Sequence, residues 1–429
     1  MAVGPTKLTI RAYGVGFGDC FLLTFHYPAP TGARHVLIDF GTTQKPPRAG
    51  RDLMNEIARD IAERVGETLH MIVATHRHTD HISGFATRRD GKGPGDRIAK
   101  LNPSLVVQPW TERPDAPTGL TAKSSRSVNT AMFASLSLMR HVAKASLGET
   151  RHLHKNVRDE IRFLGEDALS NLSAVRNLAR MGKKTKAAYV SYGSRLPTAS
   201  LLPGVKVQVL GPPTLKQQTD LANQNPVNRA EYWHFHAFWQ LRAGTAALPG
   251  SAWFPKAETC SSSEIPAQSR WFVSRITATR GTQLLRIVRA MDDALNNTSV
   301  ILLFEVGGKR FLFPGDAQWE NWEYALGRAR ARLTKVDLYK VGHHGSLNAT
   351  PKTLWTLLSG RTRSGATPAR LATLVSTRSN SKHGHRDRKT EVPRETLLAE
   401  LRKGSTFRST QELEGTGKLA LELTFTLRR

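Results

Sequence analysis

Apolar positions fall in short alternating or continuous runs at both ends of the chain, and recur at three- and four-residue spacing through its middle. At the N-terminal end, Leu8–Tyr13, Phe21–Phe25 and His35–Asp39 are apolar or β-branched runs bounded by Gly and Pro, a pattern that predicts strands. Leu53, Ile57, Ile61 and Val65 then recur every four residues, one face of an amphipathic helix. Leu69–Thr75 is almost continuously apolar, as in a strand buried on both faces. Pro103–Trp110 predicts another strand. Residues 118–182 read as helical, with Ile161, Leu164, Ala168, Leu172, Val175 and Leu178 on one face. A strand at 205–210 precedes Gly211-Pro212-Pro213. An irregular aromatic-rich block follows at 214–270, and then a helical face of Leu284, Leu285, Val288, Met291 and Leu295. Strands return from Ser299: a hairpin over 300–316 turning at Gly307-Gly308, strands at 336–341 and 370–377, and an alternating terminal strand carrying Leu419, Leu421, Leu423, Phe425 and Leu427. Helices are expected around Trp319, Trp322 and Leu326, and over Pro393–Leu401.

Two strand-rich ends around a mainly helical middle predict an α/β chain. Its core is expected from 1–111, 205–213 and 296–429, with a helical insertion at 112–204 and a second insertion or lid at 214–295. The length of 429 residues allows two to three domains at about 150 residues each, or one elaborated domain. A hydrophobic content of 39% supports a packed core. No apolar run reaches the roughly 18 residues of a transmembrane helix, and the N-terminus lacks the apolar segment of a secretory signal. The expectation is a cytoplasmic protein without a membrane partner. Cys20 and Cys260 are too few and too far apart for a disulfide framework or a Cys-rich zinc site, and read as buried small residues.

Charge changes the picture. Lys and Arg number 62 against 35 Asp and Glu, a net charge of +27 and a pI near 10.6. Such a chain attracts polyanions, because its cations release the counterions condensed on phosphates, so DNA or RNA is the expected partner. Clusters stand at Arg88-Arg89, Arg180 with Lys183, Lys184 and Lys186, Arg328-Arg330-Arg332, and Arg378 to Lys389. A basic surface with no nucleic-acid role has the same composition.

The chemistry concentrates in Thr75-His76-Arg77-His78-Thr79-Asp80-His81, at the end of the buried strand. In extended chain His76 and His78 point to one side and can reach one metal ion, while a turn after them aims Asp80 and His81 at a second. Imidazole and carboxylate donors suit Zn²⁺ first and Mn²⁺ second, and an open coordination position is a catalytic feature.

H-x-H-x-D-H after an apolar strand resembles the signature of the metallo-β-lactamase fold superfamily. Asp39-Phe40-Gly41 is similar to its strand-ending D-x-G, and Phe313-Pro314-Gly315-Asp316 to its strand-ending G-D. Gly16-Phe17-Gly18-Asp19-Cys20, Asn297-Thr298-Ser299, Lys340 to Ser346 (K-V-G-H-H-G-S) and Asn380 to His385 resemble the ComEC-like hydrolase branch and bacterial phosphorylcholine esterases. The resemblance covers 5–85, 205–213 and 296–427. It implies a four-layer αββα sandwich holding two divalent ions: His76 and His78 on the first, Asp80, His81 and His344 on the second, and Asp316 bridging.

No position matches the superfamily's separate histidine that completes the first ion. One of His152, His154, His234 and His236 folds back, or a water or substrate oxygen takes that place. Asp80 and Asp316 would orient the activated water, and His343 or His385 would protonate the leaving oxygen. Asn297, Ser299, Asn380, Lys382 and Arg386 are candidate substrate contacts, although for Asn297 and Ser299 bonding to backbone beside the site is the favoured role. Asp19 either joins the site or caps a turn. Tyr232 to Trp239 is either the core of the insertion or a platform for stacked bases.

The expected activity is therefore a metal-dependent phosphodiesterase or nuclease on nucleic acid. One alternative is a hydrolase of a small phosphoester, lactone, thioester or β-lactam, since one fold supports all of these. Another is a nucleic-acid-binding protein without catalysis.

Overall fold

The computed structural model describes residues 4–113, 171–214, 216–218, 295–346, 350–360, 371–379 and 391–428. Over these the chain is mixed α/β with two mixed sheets. The first sheet is formed by Lys7–Tyr13 (β1), Cys20–His26 (β2), Ala33–Phe40 (β3), Met71–Val73 (β4), Val106–Pro109 (β5), Ala187–Val190 (β6) and the terminal Ala420–Thr426 (β13), in the order β13-β1-β2-β3-β4-β5-β6. β13, β1, β2 and β3 run antiparallel to their neighbours, and β3 to β6 run parallel. The second sheet has Lys206–Gly211 (β7), Ile301–Val306 (β8), Lys309–Phe313 (β9), Leu338–Lys340 (β10), Ala372–Val375 (β11) and Thr406–Ser409 (β12), in the order β12-β11-β10-β9-β8-β7. β9 to β12 run parallel, while β7, β8 and β9 alternate.

Period-two alternation places the side chains of each strand in two different cores. Leu8, Ile10, Phe21, Leu23, Phe25, Val36, Ile38, Met71 and Val73 of the first sheet share a core with Leu302, Phe304, Phe311, Phe313, Leu338 and Leu374 of the second. The other face of the first sheet (Leu22, Leu37, Ile72, Val106) packs on Leu53–Val65 (α1), Pro94–Lys100 (α3) and Leu172–Lys184 (α4). The other face of the second (Ile301, Leu303, Leu312, Tyr339) packs on Trp319–Leu333 (α5), Lys352–Ser359 (α6) and Glu395–Gly404 (α7). Each fully buried Leu or Phe contributes roughly 1.5–3 kcal/mol, so a one-residue register slip, which exchanges the faces, is strongly disfavoured.

The described part of 112–204 corrects the expected insertion. α4 buries Ala174, Leu178 and Met181 against the first sheet, and β6 pairs in parallel with β5 as that sheet's last strand. Residues 171–204 therefore belong to the sheet domain. The four-residue run Ala187–Val190 follows a Lys-rich turn and is too short for its alternation to stand out. The rest of the insertion, and nearly all of 214–295, lies outside the described residues. No helix among the described residues is long and apolar enough to cross a membrane.

At the amino ends of β3 and β4 the buried residues His35 and His70 form a neutral pair. The His35 N–H donates to His70 Nδ1 at 3.1 Å, and the Arg34 guanidinium stands 2.7 Å from His70 Nε2. Burial, then His26 for His35 and Arg34 for His70, pushes both imidazoles down to about pKa 4. The unfolded chain, with histidine near 6.5, binds more protons between pH 6.5 and 4, so stability must fall as pH drops through that window. Urea unfolding at pH 7 and pH 4.5 should differ by about 2 kcal/mol from each ring of this pair, and the loss should shrink in His70→Asn. An unchanged pH dependence in that variant would contradict the assignment.

Candidate metal centre

The carboxyl ends of β3, β4, β9, β10 and β11 meet at one end of the two sheets, the edge where α/β sheets bind ligands. There the chain delivers Asp39 at the end of β3, the histidine motif after β4, Asp316 after β9 and His344 after β10. The motif turns sharply because Thr79–Ile82 (α2) starts directly after His78. Gly41 permits that turn to lie against β3: a Cβ there would come within 2.5 Å of Thr79 O and His81 N. Gly315, at φ +56°, likewise lets the Asp316 turn lie against Thr75. Asp39, His343 and His344 hold φ values of 54°, 42° and 51°, the left-handed region that non-glycine residues rarely adopt. Strain of this kind collects at functional sites.

Among the described residues three buried donor sets result, one of them Asp19, Asp39 and His81, and the other two share Asp80. Of these two, the first is His76, His78 and Asp80, and the second is Asp80, His81, Asp316 and His344, with donor atoms within 4.8 Å of one another in each. His76 Nε2 lies 3.0 Å from His78 Nδ1, and His81 Nε2 lies 3.0 Å from Asp316 Oδ2. His344 Nε2 is 2.9 Å from Asp80 Oδ2 and 3.6 Å from Asp316 Oδ2. Two ligands bound tetrahedrally at about 2.0–2.1 Å stand about 3.3 Å apart, so these spacings fit one ion per set. Asp80 Oδ1 is buried without a hydrogen-bond partner among the described residues, which an unfilled ligand position explains. The residues therefore could hold a metal ion.

All six residues expected as ligands come together; Asp80 falls in both sets, and Asp316 groups with the second. Asp80 sits on the turn between the two pairs of histidines, so it faces both. Asp316 is held on the far side by Lys340 Nζ, 3.5 Å from its Oδ1, and by the His343 N–H, which donates to the same oxygen at 3.0 Å.

A shell of hydrogen bonds orients the donors. Asp39 accepts from His81 Nδ1 at 2.8 Å, which turns His81 Nε2 toward Asp316, and is itself fixed by the Thr75 N–H and hydroxyl at 2.7 Å each. His344 Nδ1 donates to Ser376 O at 3.0 Å, which leaves Nε2 for Asp80. Burial pushes His76 down, and the neighbouring His81 and His78 push it further, so its ring is neutral. Burial acts the same way on His81, but Asp316, Asp80 and Asp39 outweigh it and raise its pKa well above the usual value. Asp316 is held well below the carboxylate range: burial opposes this, and His81, His344 and Lys340 prevail. Metal uptake must displace the proton on His81, so affinity should rise with pH. Asp39→Asn removes the acceptor that fixes this tautomer and should weaken binding at the second set about 10–100-fold in a chelator competition, leaving the first set unchanged. Equal weakening at both sets would contradict the role given to Asp39.

Other expected residues stand differently. Asn297 and Ser299 are fully buried and contact no open site: Asn297 Nδ2 donates to Glu320 Oε2 at 2.6 Å, and Ser299 Oγ accepts from the Asp316 N–H at 3.2 Å. Ser299 thereby supports the Asp316 turn, and Asn297 ties the preceding residues to α5. Burial pushes His343 down to about pKa 4, so its ring is uncharged at neutral pH. Asp19 joins the site, in a buried ion pair with Lys340 and 3.6 Å from His344 Nδ1. Cys20 is buried and free. His152, His154, His234, His236, the Tyr232 to Trp239 cluster, Cys260, Asn380, Lys382, His385 and Arg386 lie outside the described residues. Lys340 and Asn296 carry roles that the motifs did not assign. Lys340 sits within a quoted motif but reads there as a strand residue, and Asn296 adjoins one.

No protein-family model matches the chain, and a search of curated proteins finds no match.

Proposed function

We propose that this chain is a metal-dependent hydrolase of the metallo-β-lactamase fold, acting as a phosphodiesterase on nucleic acid. The observation that carries this reading is the convergence of His76, His78, Asp80, His81, Asp316 and His344, from three separate stretches, into two buried donor sets at the carboxyl ends of the strands. The stacking of cores supports the αββα sandwich: helices on the first sheet, a core between the sheets, and helices on the second.

Divalent cations in such sets supply Lewis acidity, which makes water nucleophilic near neutral pH and offsets charge on a phosphoryl or acyl oxygen. The chain's own groups prepare for that chemistry. Asp80 stays ionised, since His81 and His344 outweigh the burial that raises it. Neutral His76 offers a lone pair, and Lys340 with the His343 N–H fixes the orientation of Asp316. No Ser or Cys nucleophile is required. The His343 ring, uncharged at neutral pH, stands 6.3 Å from the His344 ring.

Charge supports the polyanionic substrate. Arg180, Lys183, Lys184 and Lys186 are exposed on and just after α4, and Arg328, Arg330 and Arg332 are exposed on α5. Arg330, Lys335 and Lys352 also line a surface cleft between α5 and α6. These clusters lie on both outer helical layers, as suits attraction to a phosphate backbone without sequence readout.

The test is turnover of bis-p-nitrophenyl phosphate by protein loaded with Zn²⁺ or Mn²⁺, together with the salt dependence of DNA and RNA binding. The expected result is metal-dependent turnover and a steep loss of binding with salt. Turnover of a lactone or β-lactam without the diester would indicate a small-substrate hydrolase. Salt-sensitive binding with no hydrolysis of any ester would indicate a binding protein.

A further inference from the structure

The first donor set is short of a ligand. His76, His78 and Asp80 form it, Asp80 is shared with the second set, and no other His, Cys, Asp or Glu among the described residues joins it. Asn296 stands beside it. Its Oδ1 is 3.1 Å from His78 Nδ1, the nitrogen that is itself 3.0 Å from His76 Nε2, so both spacings are those between ligands of one ion.

Asn296 is also held in place. It is 1% exposed, on a turn where the Ser299 N–H donates to Asn296 O at 3.0 Å. Asn321 Nδ2 donates to Asn297 O at 3.1 Å and to Ser299 O at 2.8 Å, which ties the turn to α5. The Val300 N–H donates to Thr75 O at 2.9 Å, which ties it to the residue before His76. A carboxamide carried on so fixed a backbone is preorganised in the way a ligand needs to be.

We propose that the Asn296 carboxamide oxygen is the remaining protein ligand of the first ion, where the superfamily pattern has a histidine. This assignment rests on the metal-centre reading above. A neutral hard oxygen in place of an imidazole makes the first position more receptive to Mn²⁺ than an all-imidazole site. The competing role for Asn296 is to accept a hydrogen bond from His78 Nδ1 and merely orient that ring.

The experiment uses the full chain, stripped with chelator and reloaded, in wild type and in Asn296→Leu, Asn296→Asp and Asn296→His. Ion content is counted by elemental analysis, affinity is read by chelator competition, and coordination is read by ¹¹³Cd NMR. Wild type should bind two ions. Asn296→Leu should weaken one of them by roughly 100-fold or more and leave the other unchanged, and Asn296→Asp should keep both. Asn296→His exchanges oxygen for nitrogen and should move one ¹¹³Cd resonance downfield while the other stays. If Asn296→Leu binds both ions as wild type does, or Asn296→His leaves both resonances in place, Asn296 is not a ligand. Should Leu prevent folding, the Asp and His variants still decide between the two roles. A wild-type protein that binds no ion overturns the metal centre itself, and this assignment falls with it.

Discussion

Asp80→Asn should abolish hydrolysis, with turnover falling by at least about 10³-fold, or about 4 kcal/mol of transition-state stabilisation. Asp80 alone belongs to both donor sets, and it is buried with one oxygen facing His344 and the other unpartnered among the described residues. Asparagine keeps the volume and an atom to face His344, so the fold should survive while the charge common to both ions is lost. Affinity for both ions should therefore fall. Asp316→Asn is the matched control, because Asp316 joins only the second set, and it should weaken one ion and leave the other. Elemental analysis of the two purified variants reads the difference directly. Retention of both ions by Asp80→Asn would remove the shared-carboxylate arrangement from the account.

The largest loss of stability is expected from Lys340→Met. Lys340 is 1% exposed, ion-paired with Asp19, 3.5 Å from Asp316 and bonded to Gly315 O at 3.3 Å. Burial opposes its charge, yet Asp19 and Asp316 hold the ammonium protonated well above its ordinary range. Methionine matches the stem but leaves Asp19, also 1% exposed, with only the more distant His81 at 3.7 Å and His344 at 3.6 Å. Removing one partner of a buried pair costs about 3–5 kcal/mol, whereas replacing both can be nearly neutral. Urea unfolding of the metal-free protein should show that loss in Lys340→Met and recovery of most of it in Asp19→Asn/Lys340→Met. A single variant within about 1 kcal/mol of wild type would mean that the pair is not an isolated buried charge couple.

Much of the fold is legible in the sequence because the central strands of both sheets are buried on two faces. Such strands read as unbroken apolar runs, as at Leu69–Thr75 and Val300–Val306, and their positions follow from composition alone. Pairing does not. β1 lies beside β13, Lys7 opposite Thr426, across almost the whole chain, and periodicity carries no information about partners so distant. The elements that were not anticipated are short: β6, β12, α3 and α6 have four to eight residues each, too few for a face to repeat.

The site divides in the same way. His76, His78, Asp80 and His81 are legible because imidazoles and carboxylates clustered after an apolar strand have no role in a core. Asn296 is not, since an amide in a turn is commonplace until coordinates show which imidazole it faces. For Asn297 and Ser299 the sequence leaves substrate contact and bonding beside the site both open, and the coordinates show bonds to Glu320 and the Asp316 N–H. Sequence adjacency to a site does not reveal the direction of a side chain on a turn.

Anomalous scattering at the zinc edge from crystals of wild-type protein loaded with Zn²⁺ tests the central claim most directly. The account predicts two peaks about 3.5–4 Å apart, one against His76, His78 and Asp80 and the other enclosed by Asp80, His81, Asp316 and His344. A map with no peak among these residues, or with zinc held only on the surface, would contradict it.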